Sequence, residues 1–227
     1  MSGLARALHT RLFRRGGADT VLDLSAILKS LSETRPVFHS EADFQFALAW
    51  EIKLHLPTAE IRLEYPPPND PARAVDIIVR NDSFLYPIEL KYKAKRLSTT
   101  IDEETFNLKE HGAQDLGRYD FVKDIRKVES LASNLDGFKV GYVIWLTNDP
   151  SYWKPPLNPS VGYADFSVHD GAIKTGAMKW AEHLGVGTIK SREQPLVLNN
   201  AYEIQWHTYS NLDTPNGLFK YVLLKVL

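Results

Sequence analysis

The sequence predicts an α/β fold: a core of order αβββαβ in which helices flank a central mixed sheet, with helices before it and added strands after it. Three observations predict this. A long helical pattern opens at a helix-start signal at Ser40. Three short β-prone runs follow between Ile61 and Tyr92. A helical stretch from about Ala113 to Ala132 then leads into Phe138 to Leu146, an apolar run of the kind found in a strand buried beside a parallel neighbour.

Taken in order, the chain begins with an amphipathic stretch in which Leu4, Leu8 and Leu12 share a helical face. It carries Arg6, Arg11, Arg14 and Arg15, with no acid before Asp19. Such a stretch suits a surface helix, a DNA-facing arm or a mitochondrial transit peptide. Gly16-Gly17 interrupts it, and Val21, Leu24, Ile27, Leu28 and Leu31 recur at helical spacing until Arg35-Pro36. Ser40-Glu41-Ala42-Asp43 reads as a capping box. In the helix it opens, Phe44, Leu48 and Ile52 line one stripe and Phe46, Trp50 and Leu54 another, which predicts a helix apolar on two sides and wedged against a sheet.

Strands are predicted over Ile61 to Tyr65, Ala74 to Arg80 and Phe84 to Tyr92, as a meander whose first loop is the proline-rich stretch 66–71. From Tyr152 onward the chain is rich in Trp, Tyr, Pro and turn signals, with strand-like segments at Tyr202 to Tyr209 and Leu218 to Leu227. No linker-like composition sets this tail apart, so it is expected to pack on the same core as added strands and a short helix. The organisation is therefore an N-terminal helical extension (1–35), a core (36–150) and a C-terminal elaboration of the same domain (151–227). Trp153, Trp180, Trp206 and Tyr209 are expected in the core rather than as a base-stacking platform.

Composition narrows the function. With 44% hydrophobic and 24% charged residues, the 227-residue chain can bury a substantial core. No apolar stretch approaches the roughly 20 residues that a membrane-spanning helix needs, and the expectation is a cytoplasmic protein without a membrane partner. The absence of cysteine removes disulfides, thiolate nucleophiles and cysteine-ligated zinc. Any metal must take oxygen or imidazole ligands, which favours magnesium or manganese. His55, His111, His183 and His207 show no ligand spacing. The net charge of -1 gives no global attraction to a polyanion, so nucleic-acid binding would rest on local clusters: the N-terminal arginines and Lys91, Lys93, Lys95 and Arg96.

The chemistry centres on two runs, Ala74 to Arg80 and Phe84 to Tyr92, joined by the turn-prone Asn81-Asp82-Ser83. A turn centred between Asp82 and Ser83 pairs residues whose numbers sum to 165, placing Asp76 opposite Glu89 with Cβ atoms about 5 Å apart on one face. Lys91 points to the same face by strand alternation. The other face, Val75, Ile77, Val79, Ile88 and Leu90, is apolar. Two adjacent carboxylates repel unless a cation lies between them, and a divalent ion with oxygen ligands is the simplest such cation. The lysine can neutralise the pair, orient a water or stabilise a phosphate as charge develops.

Val75-Asp76 followed by Glu89-Leu90-Lys91 on consecutive strands, within the order αβββαβ over about Ser40 to Leu146, resembles the PD-(D/E)XK nuclease superfamily. The resemblance implies a restriction-endonuclease-like fold and a Mg²⁺-dependent nuclease (Mn²⁺ as substitute) hydrolysing DNA, with RNA not excluded. It implies that Asp76 and Glu89 hold the metal and Lys91 assists the water. Glu41, in the first turn of the preceding helix, matches the additional acid that many members direct at the metal; it also suits a helix-dipole acid. Valine stands where the motif's proline would be. Some members carry Gln-x-x-x-Tyr on the following helix; here Asp115 and Tyr119 have that spacing and Gln114 is one residue off. Asp115, Arg118, Tyr119 and Lys123 share one helical face, either a solvated salt-linked stripe or a substrate-contacting one. Double-strand cleavage by one such site would take a homodimer or sequential nicks. The alternative is a catalytically silent member of the same fold serving as a nucleic-acid-binding or protein-interaction module.

Overall fold

The computed structural model describes residues 22–227 apart from Asn69; the arginines at 6, 11, 14 and 15 lie outside the described residues. The first described helix, α1 (Leu24–Thr34), starts at Asp23, whose carboxylate accepts the Ser25 and Ala26 N–H groups, and buries Leu24, Ile27, Leu28 and Leu31. It stops before Pro36, which disfavours helical geometry in the residue preceding it. Helix α2 (Glu41–His55) is capped by Ser40, whose Oγ accepts the Asp43 N–H at 3.1 Å. The predicted box closes on this side only: the Asp43 carboxylate turns instead to the His39 N–H (2.9 Å) and the Arg35 guanidinium (2.8 Å). Phe44, Leu48 and Ile52 are buried. The second stripe departs from expectation, with Phe46, Trp50 and Leu54 exposed by 64%, 68% and 54%. The sheet offers one surface to the helix, and α1 and the first strand flank the stripe in shallow grooves without covering it.

Strands β1 (Glu60–Tyr65), β2 (Val75–Asn81) and β3 (Phe84–Lys93) form the predicted antiparallel meander. In the β2–β3 hairpin, Ile77 faces Ile88, Val79 faces Tyr86 and Asn81 faces Phe84, the register of residue numbers summing to 165. Asp82 takes the left-handed turn conformation, φ 54°. A second hairpin, β4 (Leu97–Ile101) and β5 (Glu104–Leu108), was not legible. Its turn places Asp102 and Glu103 both at positive φ (45° and 71°), a geometry that Asn-Gly or Asp-Gly normally signals.

Helix α3 (Gln114–Asn134) then returns the chain to β6 (Gly141–Thr147), which is buried throughout and runs parallel to β3. The tail adds the short α4 (Pro150–Trp153), β7 (Ile173–Met178), the short α5 (Val186–Ile189), β8 (Leu196–Glu203), β9 (His207–Asn211) and β10 (Leu218–Val226). The predicted strand Tyr202 to Tyr209 is split between two sheets. Asp170 accepts the Trp206 N–H at 2.8 Å and the Val168 carbonyl accepts its indole N–H at 2.7 Å, so the chain turns there. Trp180, Trp206 and Tyr209 are buried, as expected of core aromatics.

Among the described residues the main sheet has six strands, ordered β1-β2-β3-β6-β10-β9, antiparallel except for β3–β6; β4–β5 and β7–β8 are separate ribbons. The chain is thus mixed α/β, with a central mixed sheet flanked by helices. One face packs on α1, α2 and the β4–β5 ribbon, and the other on α3 and the β7–β8 ribbon. Glu129 of α3 ties that ribbon down by accepting the Asn199 and Asn200 N–H groups and the Tyr202 hydroxyl. No described helix is long and apolar enough to cross a membrane.

Candidate active site

The paired register of β2 and β3 ends at Ile77 and Ile88, one pair short of the expected Asp76–Glu89 pair, because the Asp76 carboxylate takes the β3 backbone instead. Farther along β3, the Leu90 N–H donates to Asp76 Oδ2 (2.6 Å) and the Tyr92 N–H to Glu41 Oε2 (2.7 Å). Alternate residues of a strand direct their N–H groups to one edge, and the other edge of β3 is taken by β6. Leaving a buried N–H unpaired costs about 1–3 kcal/mol, so this stretch of β3 draws in two carboxylates. Gln45, one turn beyond Glu41 on α2, donates to the Asp76 carbonyl (2.7 Å) and to Glu64 Oε1 (2.8 Å). The first turns of α2 therefore hold β2 and β3 together at the predicted site.

Glu89 and Lys91 face α3, in line with Val143 and Trp145 of β6. Two helix residues absent from the sequence reading meet them: Lys127 Nζ lies 2.6 Å from Glu89 Oε1, and Asp124 Oδ2 lies 2.7 Å from Lys91 Nζ. Lys127 also donates to the Ala74 carbonyl just before β2. The spacing of Asp124 and Lys127 puts them on one helical face, the signal that was available. Which face of α3 meets the sheet is a tertiary fact, and Asp115 and Tyr119 offered a rival face.

Burial pushes the Asp76 carboxyl up to about 6, against the Leu90 N–H, with Asp124 and Glu41 adding to the rise. Glu89, only 3% exposed, is pushed up to about 8 by burial and then by Asp76 and Asp124, against Lys127. Burial would lower the Lys91 ammonium, but the Asp124 carboxylate holds it above the ordinary lysine value. Burial likewise raises Asp124, opposed by Lys91.

One consequence is a pH-dependent stability. A carboxyl raised on folding favours the native state below its unfolded value, 4.5, and that contribution is lost as pH rises to about 8. Glu89→Gln is neutral throughout. In EDTA, its melting temperature should match the parent's below pH 4.5 and exceed it by more than about 3 °C above pH 8, since a one-unit shift is worth 1.36 kcal/mol. A constant difference across this range would mean that Glu89 is not raised.

Among the described residues no three carboxylate or imidazole side chains converge as a ready metal-ligand group. The donors that do meet are oxygens: Asp76 and Glu89, with Glu41 on the neighbouring N–H. Glu89 Oε1 and Asp124 Oδ2 are buried, each with an ammonium as its close partner. Buried carboxylate oxygens whose present partners are ammonium groups are of the type that a hard divalent cation takes, with water or backbone oxygen completing its shell.

The residues expected to contact nucleic acid do not form one surface. Lys93 runs under α3 at Gly117, and Lys95 lies 3.8 Å from Glu110; both are half-buried, and Arg96 is exposed. The stripe of Asp115, Arg118, Tyr119 and Lys123 is not solvated along its length. Arg118 is 3% exposed, donates to the Ser151 carbonyl at 2.6 Å and lies between the Tyr152 and Tyr163 rings, while Tyr119 packs on Phe166 and Trp180. The tail folds over this part of α3, which the periodicity of α3 alone does not reveal. Lys123 stays exposed at the wall of a groove of about 710 Å³, whose lining also includes Asp124 and Lys127. Asn148 and Asp149 are buried in structural roles, joining Lys95 to Asn216 and capping α4. No family model, curated protein or solved structure matches this chain.

Proposed function

We propose that the chain is a metal-dependent nuclease of the PD-(D/E)XK kind, built on a restriction-endonuclease-like core and hydrolysing DNA phosphodiester bonds. The observation that supports this reading is the junction beyond the paired register, where the Asp76 carboxylate of β2 takes the Leu90 N–H within the Glu89-Leu90-Lys91 stretch of β3, beside the cluster completed by α3.

Asp76 and Glu89 would hold Mg²⁺ or Mn²⁺, with Glu41 at the rim. The bound cation supplies charge neutralisation at the phosphate and acidifies a water for in-line attack without a covalent intermediate. Lys91 keeps its proton, because Asp124 stabilises the ammonium, and so serves as a fixed positive charge for the phosphate rather than as a base. Asp124 and Gln45 are positioning residues, one for the lysine and one for the Asp76 backbone.

The test is nicking of supercoiled plasmid. Purified protein should cut with Mg²⁺ or Mn²⁺ and stop when EDTA is added. One observation favours the second reading, a catalytically silent module: Lys127 and Lys91 already ion-pair with Glu89 and Asp124. Absence of cutting on every DNA and RNA substrate with either metal would select that reading.

A further inference from the structure

The chain as a whole carries a net charge of -1, yet cations outnumber carboxylates in the lining of the groove beside the cluster. It lies between α3, the loop at 72–74 and the turn at 191–192. Five cations line it, Arg73, Lys123, Arg126, Lys127 and Arg192, against the carboxylates of Glu64 and Asp124. Both carboxylates have partners, as Glu64 takes the Gln45 amide and Asp124 takes Lys91, and two of the cations do as well, Lys127 with Glu89 and Arg73 with Asp70. Among the described residues neither Lys123 nor Arg126 has a carboxylate within ion-pairing distance, and both are exposed. Arg192 lies over the Tyr119 ring, 5.7 Å from its centroid. A concave surface lined by one sign of charge focuses its field on a ligand of the opposite sign.

The groove leads to the catalytic cluster, because Asp124 and Lys127 belong to both. Lys123 and Arg126 are exposed on the same helix on which the half-buried Asp124 and Lys127 reach the cluster. The volume, about 710 Å³, lies in the range of sites that enclose a compact ligand, and so suits a short stretch of one strand. We infer that this groove is a track for one polynucleotide strand, held through its phosphates by Arg73, Lys123, Arg126 and Arg192 and delivering a single strand to the cluster. The nuclease reading bears only on what lies at the end of the track; the binding itself requires neither metal nor chemistry. Phosphate contacts carry no base information, so the track accepts strands of any sequence.

The test is fluorescence anisotropy in EDTA with labelled oligo(dT), oligo(rU) and a blunt DNA duplex. The parent protein should bind the single strands at least tenfold more tightly than the duplex, and the two oligonucleotides against each other show whether DNA or RNA is preferred. Lys123→Gln with Arg126→Gln should weaken single-strand binding about tenfold and flatten the log–log salt slope by about 1.4, the sum for two lost phosphate contacts on a single strand. Lys29→Gln with Lys225→Gln, exposed lysines elsewhere on the fold, should leave both quantities unchanged. Equal affinity for duplex and single strand, or an unchanged slope in the groove variant with its melting temperature preserved, would overturn the track. A protein that binds single strands through this groove yet cuts nothing retains the track and loses the nuclease reading; one that cuts while the groove variant binds like the parent does the reverse.

Discussion

Lys91→Met should reduce turnover by about 100-fold or more, the scale for losing one preorganised transition-state contact, while divalent affinity holds or rises. The side chain is mostly buried and its ammonium is fixed 2.7 Å from Asp124, so methionine preserves the stem and its packing but removes the charge. Two neighbouring carboxylates then lose a neutralising partner, which favours any cation that replaces it. Asp76→Asn should fail differently. It deletes a formal charge from the proposed cation shell, so affinity for Mn²⁺ should fall and excess metal should recover little activity. The amide oxygen still accepts the Leu90 N–H, which keeps the local fold. Calorimetric Mn²⁺ titration beside plasmid cleavage separates the two. A Lys91→Met protein that cuts as well as the parent would make this lysine a passive partner of Asp124, and the nuclease assignment would lose its central residue.

The parts of this cluster that were legible are those governed by local rules. Strand alternation and the Asn81-Asp82-Ser83 turn set the β2–β3 register, and from that register follow the shared face of Glu89 and Lys91 and the place of Asp76 beside β3. Glu41 was legible because helix-start chemistry at Ser40 positions it in the first turn. Asp124 and Lys127 were not, because α3 carries charge on several faces and its rotation about its own axis is decided by Phe121, Val122, Ile125 and Val128 packing on the sheet. The same limit explains Arg118 and Tyr119. Their helical face looks solvated until Tyr152, Tyr163 and Trp180 arrive from the tail. On α2 the error had the opposite sign: an apolar second stripe predicted burial, yet nothing among the described residues covers Phe46, Trp50 and Leu54.

The role of Lys127 leads to the other large effect. Its ammonium touches Glu89 Oε1 at 2.6 Å and donates to the Ala74 carbonyl, two oxygens at the foot of the proposed cation site. A divalent cation that takes Glu89 Oε1 as a ligand must therefore displace this ammonium. A hydrogen bond to a charged group is worth about 1.5–3 kcal/mol, and each 1.4 kcal/mol is a factor of ten in affinity. Lys127→Met, which keeps the stem and removes the competitor, should raise Mn²⁺ affinity by about tenfold or more. The titration belongs at alkaline pH, since burial raises Glu89 and the loss of Lys127, which opposes that rise, lets it hold a proton where the ammonium was. Thermal melting supplies a second readout. The metal-free variant should melt below the parent, because Glu89 has lost its counter-charge, and the rise on adding Mn²⁺ should be larger than the parent's, following the tighter binding. Unchanged Mn²⁺ affinity in a folded Lys127→Met protein would show that the cation does not use Glu89, and the pairing of Glu89 with α3 would then be structural.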